Sequence, residues 1–127
     1  MTHPILALQQ ALVGTLRAAL ATPVFDAPPQ GATPPYIVIA RHDLRPRDGD
    51  GAPGHEHRLL LHVRAAGASR KEALAIVEPV LAAALALTGG DGLAVTLARH
   101  ERTETSLDGR TGHARAAVAL TFFTEPS

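Results

Sequence analysis

The sequence contains no cysteine and no tryptophan. Without thiols there are no disulfides, no thiolate nucleophile and no Cys-based zinc site, a composition that fits a reducing compartment. Aromatic residues are only 3% of the chain while hydrophobic residues reach 46%, so the core must be aliphatic, built on Leu, Val, Ile and much Ala. Alanine buries little area per residue. That keeps stability modest and gives such a chain something to gain from oligomerising. Lysine is nearly absent: eleven of the twelve basic residues are Arg, and the exception is Lys71. Arg favours planar, bidentate pairing at interfaces, although GC-rich coding produces the same bias. There is no excess charge of either sign, because 12 basic residues balance 12 acidic ones. A free-standing nucleic-acid binder uses a basic excess to displace counterions, and this chain lacks one. No stretch approaches the ~18 uninterrupted apolar residues of a membrane span. The N-terminal "MTHPILALQQALVGTLRAAL" holds glutamines and lacks a basic leader, so it reads as a helix rather than a signal peptide.

What is present fits one domain over residues 1–127. Ile5, Leu8, Leu12, Leu16 and Leu20 recur at three- and four-residue steps and predict a helix over 3–21, with Thr2 as its cap and Pro4 in the first turn. "PVFDAPPQGATPPY" (23–36) is too rich in proline for a central strand and reads as an extended connector anchored by Val24 and Phe25. Strands are expected at 36–42 and 57–66, where Leu59, Leu61 and Val63 share one face and Arg58, His62 and Arg64 the other. Ser69 and Glu72 form a capping box for a second helix, whose wide apolar face predicts deep packing and whose interior holds Pro79. The glycines of "TGGDG" (88–92) end that helix. Strands follow at 93–102, with Leu93, Val95 and Leu97 on one side, and at 113–123, joined through Asp108-Gly109. The expected class is α+β: a four-stranded antiparallel or mixed sheet with two main helices packed on it, in the order α-β-β-α-β-β.

The charged loop 43–56 is the first place to look for chemistry. Read as a calcium loop from Asp48, it offers Asp50 at position 3, but Ala52, Pro53 and Leu59 stand at positions 5, 6 and 12, and three requirements fail. His55 and His57 lie two apart, on one face of a strand, yet a catalytic zinc needs a third ligand, and no spacing supplies one. "GDGAPG" is neither a GxxxxGK[ST] nor a GxGxxG phosphate loop, and GxSxG is absent. No catalytic residue, metal ligand or cofactor is therefore expected. The bland reading of His55 and His57 is a pair of exposed histidines at a strand entrance. Arg41, Arg45, Arg47 and Arg58 interleave with Asp43, Asp48, Asp50 and Glu56, which suits either a solvated loop or an arm pairing with a neighbouring subunit.

Taken together, "VFDAPPQGATPPYIVIA", "HEHRLLLHVRAAGASRKEALAIVEPVLAAAL" and "DGRTGHARAAVALTF" resemble the tail terminator group, the small tail-completion proteins of tailed bacteriophages and phage-derived gene transfer agents. The resemblance covers nearly the whole chain, and its motifs are structural. It implies a homo-oligomeric ring, usually a hexamer, made in the bacterial cytoplasm and sited at the head–tail junction of the particle. The ring caps the tail tube protein and joins it to a head-side connector or stopper protein, while DNA transits the lumen without specific binding. Contacts are expected at Arg41, Asp43, Arg45, Arg47, Asp48, Asp50, His55, His57 and Arg58, and again at Glu104, Asp108 and Arg110. Two other readings of the chain remain: a small metal-dependent hydrolase using His55 and His57, and a soluble adaptor that forms no ring.

Overall fold

A computed structural model describes residues 2–27, 30–48, 53–90 and 92–127. The first helix, α1 (Pro4–Ala19), follows the apolar stripe: Leu8, Leu12 and Leu16 are fully buried. Its cap is His3 rather than Thr2, with Nδ1 of His3 accepting the N–H of Ile5 at 3.1 Å. After it come β1 (Val24–Phe25), β2 (Tyr36–Pro46) and β3 (His55–Arg64), then α2 (Arg70–Leu85), β4 (Gly89–Gly90), β5 (Leu93–Leu107) and β6 (Ala114–Pro126). The Ser69 hydroxyl accepts the Glu72 N–H at 3.3 Å, and α2 runs on through Pro79.

The sheet corrects the expected class. It has six strands in the order β1-β2-β3-β6-β5-β4, and the chain reads α-β-β-β-α-β-β-β rather than α-β-β-α-β-β. The four long strands overlap the expected ones and are antiparallel throughout, but β2 runs on to Pro46 and β5 to Leu107, past the expected ends at 42 and 102. The two extra strands are two-residue pieces. Val24 and Phe25 pair parallel with Ile37 and Val38, out of a segment whose prolines argue against strand. Gly89 and Gly90 pair with Ala94 and Leu93, and glycine carries no side-chain signal for a strand. Of the segment 43–56, residues Asp43–Pro46 and His55–Glu56 are paired strand, so the connection spans 47–54. Arg47 N–H donates to the Gly54 carbonyl at 2.8 Å and closes its base.

Both helices pack on one face of the sheet, over Ile37, Ile39, Leu59, Leu61, Val63, Val118, Leu120 and Phe122. Since α1 meets both β1 and β4, at opposite edges, the sheet curls around it as a half-barrel. The wide apolar face expected for α2 is only partly used. Ala73, Val77, Val80 and Ala84 are buried, whereas Leu74 and Leu85 are 42% and 41% exposed. α2 lies beside α1, and Ile76 and Leu81 pack against the core only in part.

Candidate assembly interface

Three bulges decide which side chains leave the core. In β2, Ile37 and Ile39 face the helices, and strict alternation would send Arg41 and Asp43 after them. A register shift between Ile39 and Arg41 reverses the parity. Beyond it, His42 and Leu44 face inward, while Arg41, Asp43 and Arg45 face the helix-free side opposite Leu60, Arg58 and Glu56. Two shifts in β5, between Val95 and Leu97 and between His100 and Arg102, do the same. Leu97 thus lies opposite Phe123 and is 47% exposed, not aligned with Leu93 and Val95 as its spacing predicts. Arg99, Arg102 and Glu104 also project to the helix-free side, opposite Thr121, Ala119 and Ala117.

The result is a sheet face crowded with guanidinium groups. Arg64 and Arg115, opposite each other on β3 and β6, complete it. Most of these arginines meet a carboxylate two positions along the same strand. Arg41 Nε lies 2.7 Å from Asp43, Arg58 Nε 2.9 Å from Glu56, and Arg99 Nε 2.8 Å from Glu101; Arg102 pairs with Glu104 in the same way. Arg47 adds a 3.4 Å contact to Glu56 and stacks over the Phe123 ring, 4.4 Å from its centroid. Hydrogen bonding from Arg58, followed by the charges of Arg58 and Arg45, holds the Glu56 carboxyl below its ordinary range.

The expected contact residues fall at the two ends of the sheet and on the face between them. At one end, where His55 pairs with Thr124, lie Arg45, Arg47, Asp48, His55 and Glu56. Asp48 Oδ1 accepts the Gly54 N–H at 3.3 Å. Asp50 lies outside the described residues. At the other end, where Leu107 pairs with Ala114, Asp108 Oδ1 accepts the N–H groups of Arg110 at 2.8 Å and Thr111 at 3.3 Å, and Oδ2 lies 3.6 Å from Arg64. Those two backbone donors lower the Asp108 pKa. Arg41, Asp43, Arg58 and Glu104 occupy the face between the two ends. Arg99, Arg102 and Arg115, absent from the expected contacts, lie on the same face; the first bulge of β5 brings Arg99 there, and plain alternation brings Arg115.

His57 does not fit the surface reading. It is fully buried, so the expectation of two exposed histidines is corrected: only His55 keeps some exposure. Gln9 Nε2 lies 3.1 Å from Nδ1 of His42, Nε2 of His42 lies 2.9 Å from Nδ1 of His57, and Nε2 of His57 lies 2.9 Å from the Thr124 hydroxyl oxygen. An amide nitrogen can only donate. Hence His42 accepts at Nδ1 and carries its proton on Nε2, and His57 repeats the pattern and donates to Thr124. All four groups are satisfied with both rings neutral. Burial is the chief cause that pushes His42 down to about 4, with Asp43 opposing and His3 assisting. Burial again leads at His57, down to about 3, followed by His42, His55 and His3. Both ring nitrogens of His57 are engaged inside the protein, so it is not an exposed partner of His55. Among the described residues no cluster of three potential metal ligands occurs.

A model of the family described as tail completion protein gp17 matches residues 7–125. A chain from the solved structure titled "Virion of native gene transfer agent (GTA) particle" superposes with a TM-score of 0.81 at 19% identity, covering 98% of this chain and 99% of that one. At that identity the likeness is one of fold. No curated protein matches the chain.

Proposed function

The chain belongs to the tail completion protein gp17 family, and from that premise we propose that it closes into a ring of identical copies, six in number, that ends the tail tube. It is a structural protein of a phage-type tail, within the tailed bacteriophage and gene transfer agent group. One side of the ring would stop further addition of the tail tube protein. The other would dock the head-side connector or stopper, with DNA passing through the centre. The whole chain acts as a single domain in this reading.

The observation that carries the proposal is the family match across nearly the full length, from residue 7 to residue 125. The geometry supports it in a specific way. Two groups of contact residues, Arg45 to Asp48 with His55 and Asp108 with Arg110, stand at opposite ends of the long strands, as two stacked neighbours require. Their charges alternate in sign, which favours selective pairing over tight general adhesion. A near-zero net charge lets DNA slide past without being held. Deleting the gene in its native particle tests the proposal: tails of irregular length, or tails not joined to filled heads, are expected. Normal, fixed-length tails on filled heads would sink it. Native mass spectrometry of the purified chain separates a ring from a lone adaptor.

A further inference from the structure

We infer that the ring closes by edge-to-edge strand pairing, with the outer edge of β5 in one copy bound to the outer edge of β2 in the next. This deepens the ring reading above and rests on it. β1 covers the outer edge of β2 only at Ile37 and Val38, and β4 covers β5 only at Leu93 and Ala94. Among the described residues, no strand lies beside 39–46 or beside 96–107. A long strand edge left open is a template for another chain, and proteins that keep one open manage it with charge and bulges. Here both devices are present: the two bulges of β5 and the charged pairs Arg99–Glu101 and Arg102–Glu104.

Three features point to a second copy as the occupant. First, the free stretches stand at the same rungs of the sheet. Ile39 connects through Leu61 and Val118 to Thr103, and Pro46 connects through His55 and Thr124 to Val95. Second, the four long strands alternate in direction across the order β2-β3-β6-β5, so β2 and β5 run opposite ways. A copy related by rotation about a ring axis therefore brings β5 against β2 antiparallel, and the alternation continues unbroken from subunit to subunit. Each copy offers both halves of this contact once, which is the heterologous geometry that closes into a ring. Third, both edges carry charges of both signs on the helix-free face, Arg41 and Asp43 on β2 and Arg99 to Glu104 on β5, so cross-strand partners of opposite charge are available. Leu97, half-exposed on β5, would be covered.

The absence of native cysteine makes the test direct. Asp43→Cys on β2 is combined, in separate variants, with Leu97→Cys, Arg99→Cys or Arg102→Cys on β5, and the assembled oligomer is oxidised. One of the three pairings is expected to give a covalent ladder of copies, and the single variants none. The unmodified protein supplies a second measurement. Backbone amides in 39–45 and 96–103 should exchange about tenfold or more slowly in the oligomer than in the monomer. An oligomer seen by native mass spectrometry, with no ladder in any pairing and unchanged exchange, overturns the edge pairing and leaves the ring standing. Slowed exchange without a ladder, or cross-links to a different protein, overturns the second copy as occupant. A chain monomeric both in solution and in particles removes the ring reading and this inference together.

Discussion

Protonating either imidazole of the Gln9–His42–His57–Thr124 chain turns an acceptor into a donor that faces another donor. Burial adds its own penalty, which is why His42 and His57 fall to about 4 and about 3 from 6.5. The sign for stability follows. Below pH 6.5 the unfolded chain takes up protons that the folded chain refuses, so stability is complete above 6.5 and declines as pH falls toward the folded values. The loss by pH 4 should be on the order of a few kcal/mol. Glu56 and Asp108, also held low, lose their contribution only as pH drops through the ordinary carboxylate range near about 4 and below. The window from 6.5 to 5 therefore isolates the histidines. Urea unfolding midpoints should fall across it for the native chain. In a His42→Leu/His57→Phe variant they should change much less, the residue of slope coming from His62, which burial also lowers. Identical slopes in the two proteins would remove the relay as the acid-sensitive element.

Elements meet where side chains are smallest, and α1 comes close to β4. A Cβ added at Gly90 would lie 2.6 Å from the Cβ of Ala11, a distance that forces helix or strand to move. Gly90→Ala should cost about 1–3 kcal/mol as an overpacking change, read as a lowered urea midpoint with unchanged slope. The same close approach shows why the fold is only partly legible in the sequence. The leucines of α1 announce their face because every third or fourth position is apolar, and the structure buries Leu8, Leu12 and Leu16 in consequence. Gly89 and Gly90 announce nothing, and the strand they form depends on the helix above it. Val24 and Phe25 are recognisable as an anchor, but their pairing with Ile37 and Val38 depends on tertiary placement. Alternation fails at the bulges for a plain reason: an inserted residue changes parity without changing composition. That parity change sends His42 inward to meet His57 and sends Arg41 outward. Spacing alone therefore does not bring His42 to His57, and it puts Arg99 on the wrong face of the sheet.

At the scale of the whole molecule, charge is sorted even though it sums to zero. Arg41, Arg45, Arg58, Arg99, Arg102 and Arg115 all project from the helix-free face, where the nearest carboxylates are mostly their own strand neighbours. Such pairs do little for folding: exposed ion pairs are worth about 0–1 kcal/mol each, and the Arg41 and Arg102 side chains are 71% and 67% exposed. A face that costs side-chain ordering and returns little stability is better explained by assembly. This separates two outcomes for the variants Arg41→Ala and Arg102→Ala. If the face serves assembly, each variant keeps its thermal midpoint within about 4 °C of the native chain, the shift that roughly 1 kcal/mol produces at this size. The yield of particles with joined heads and tails meanwhile falls about tenfold or more, equivalent to ~1.4 kcal/mol of association free energy for each arginine removed. The double variant should drop further in joining while remaining folded. If instead the midpoint falls well beyond that range and joining falls only in step with it, the arginines hold the sheet together and the docking surface lies elsewhere.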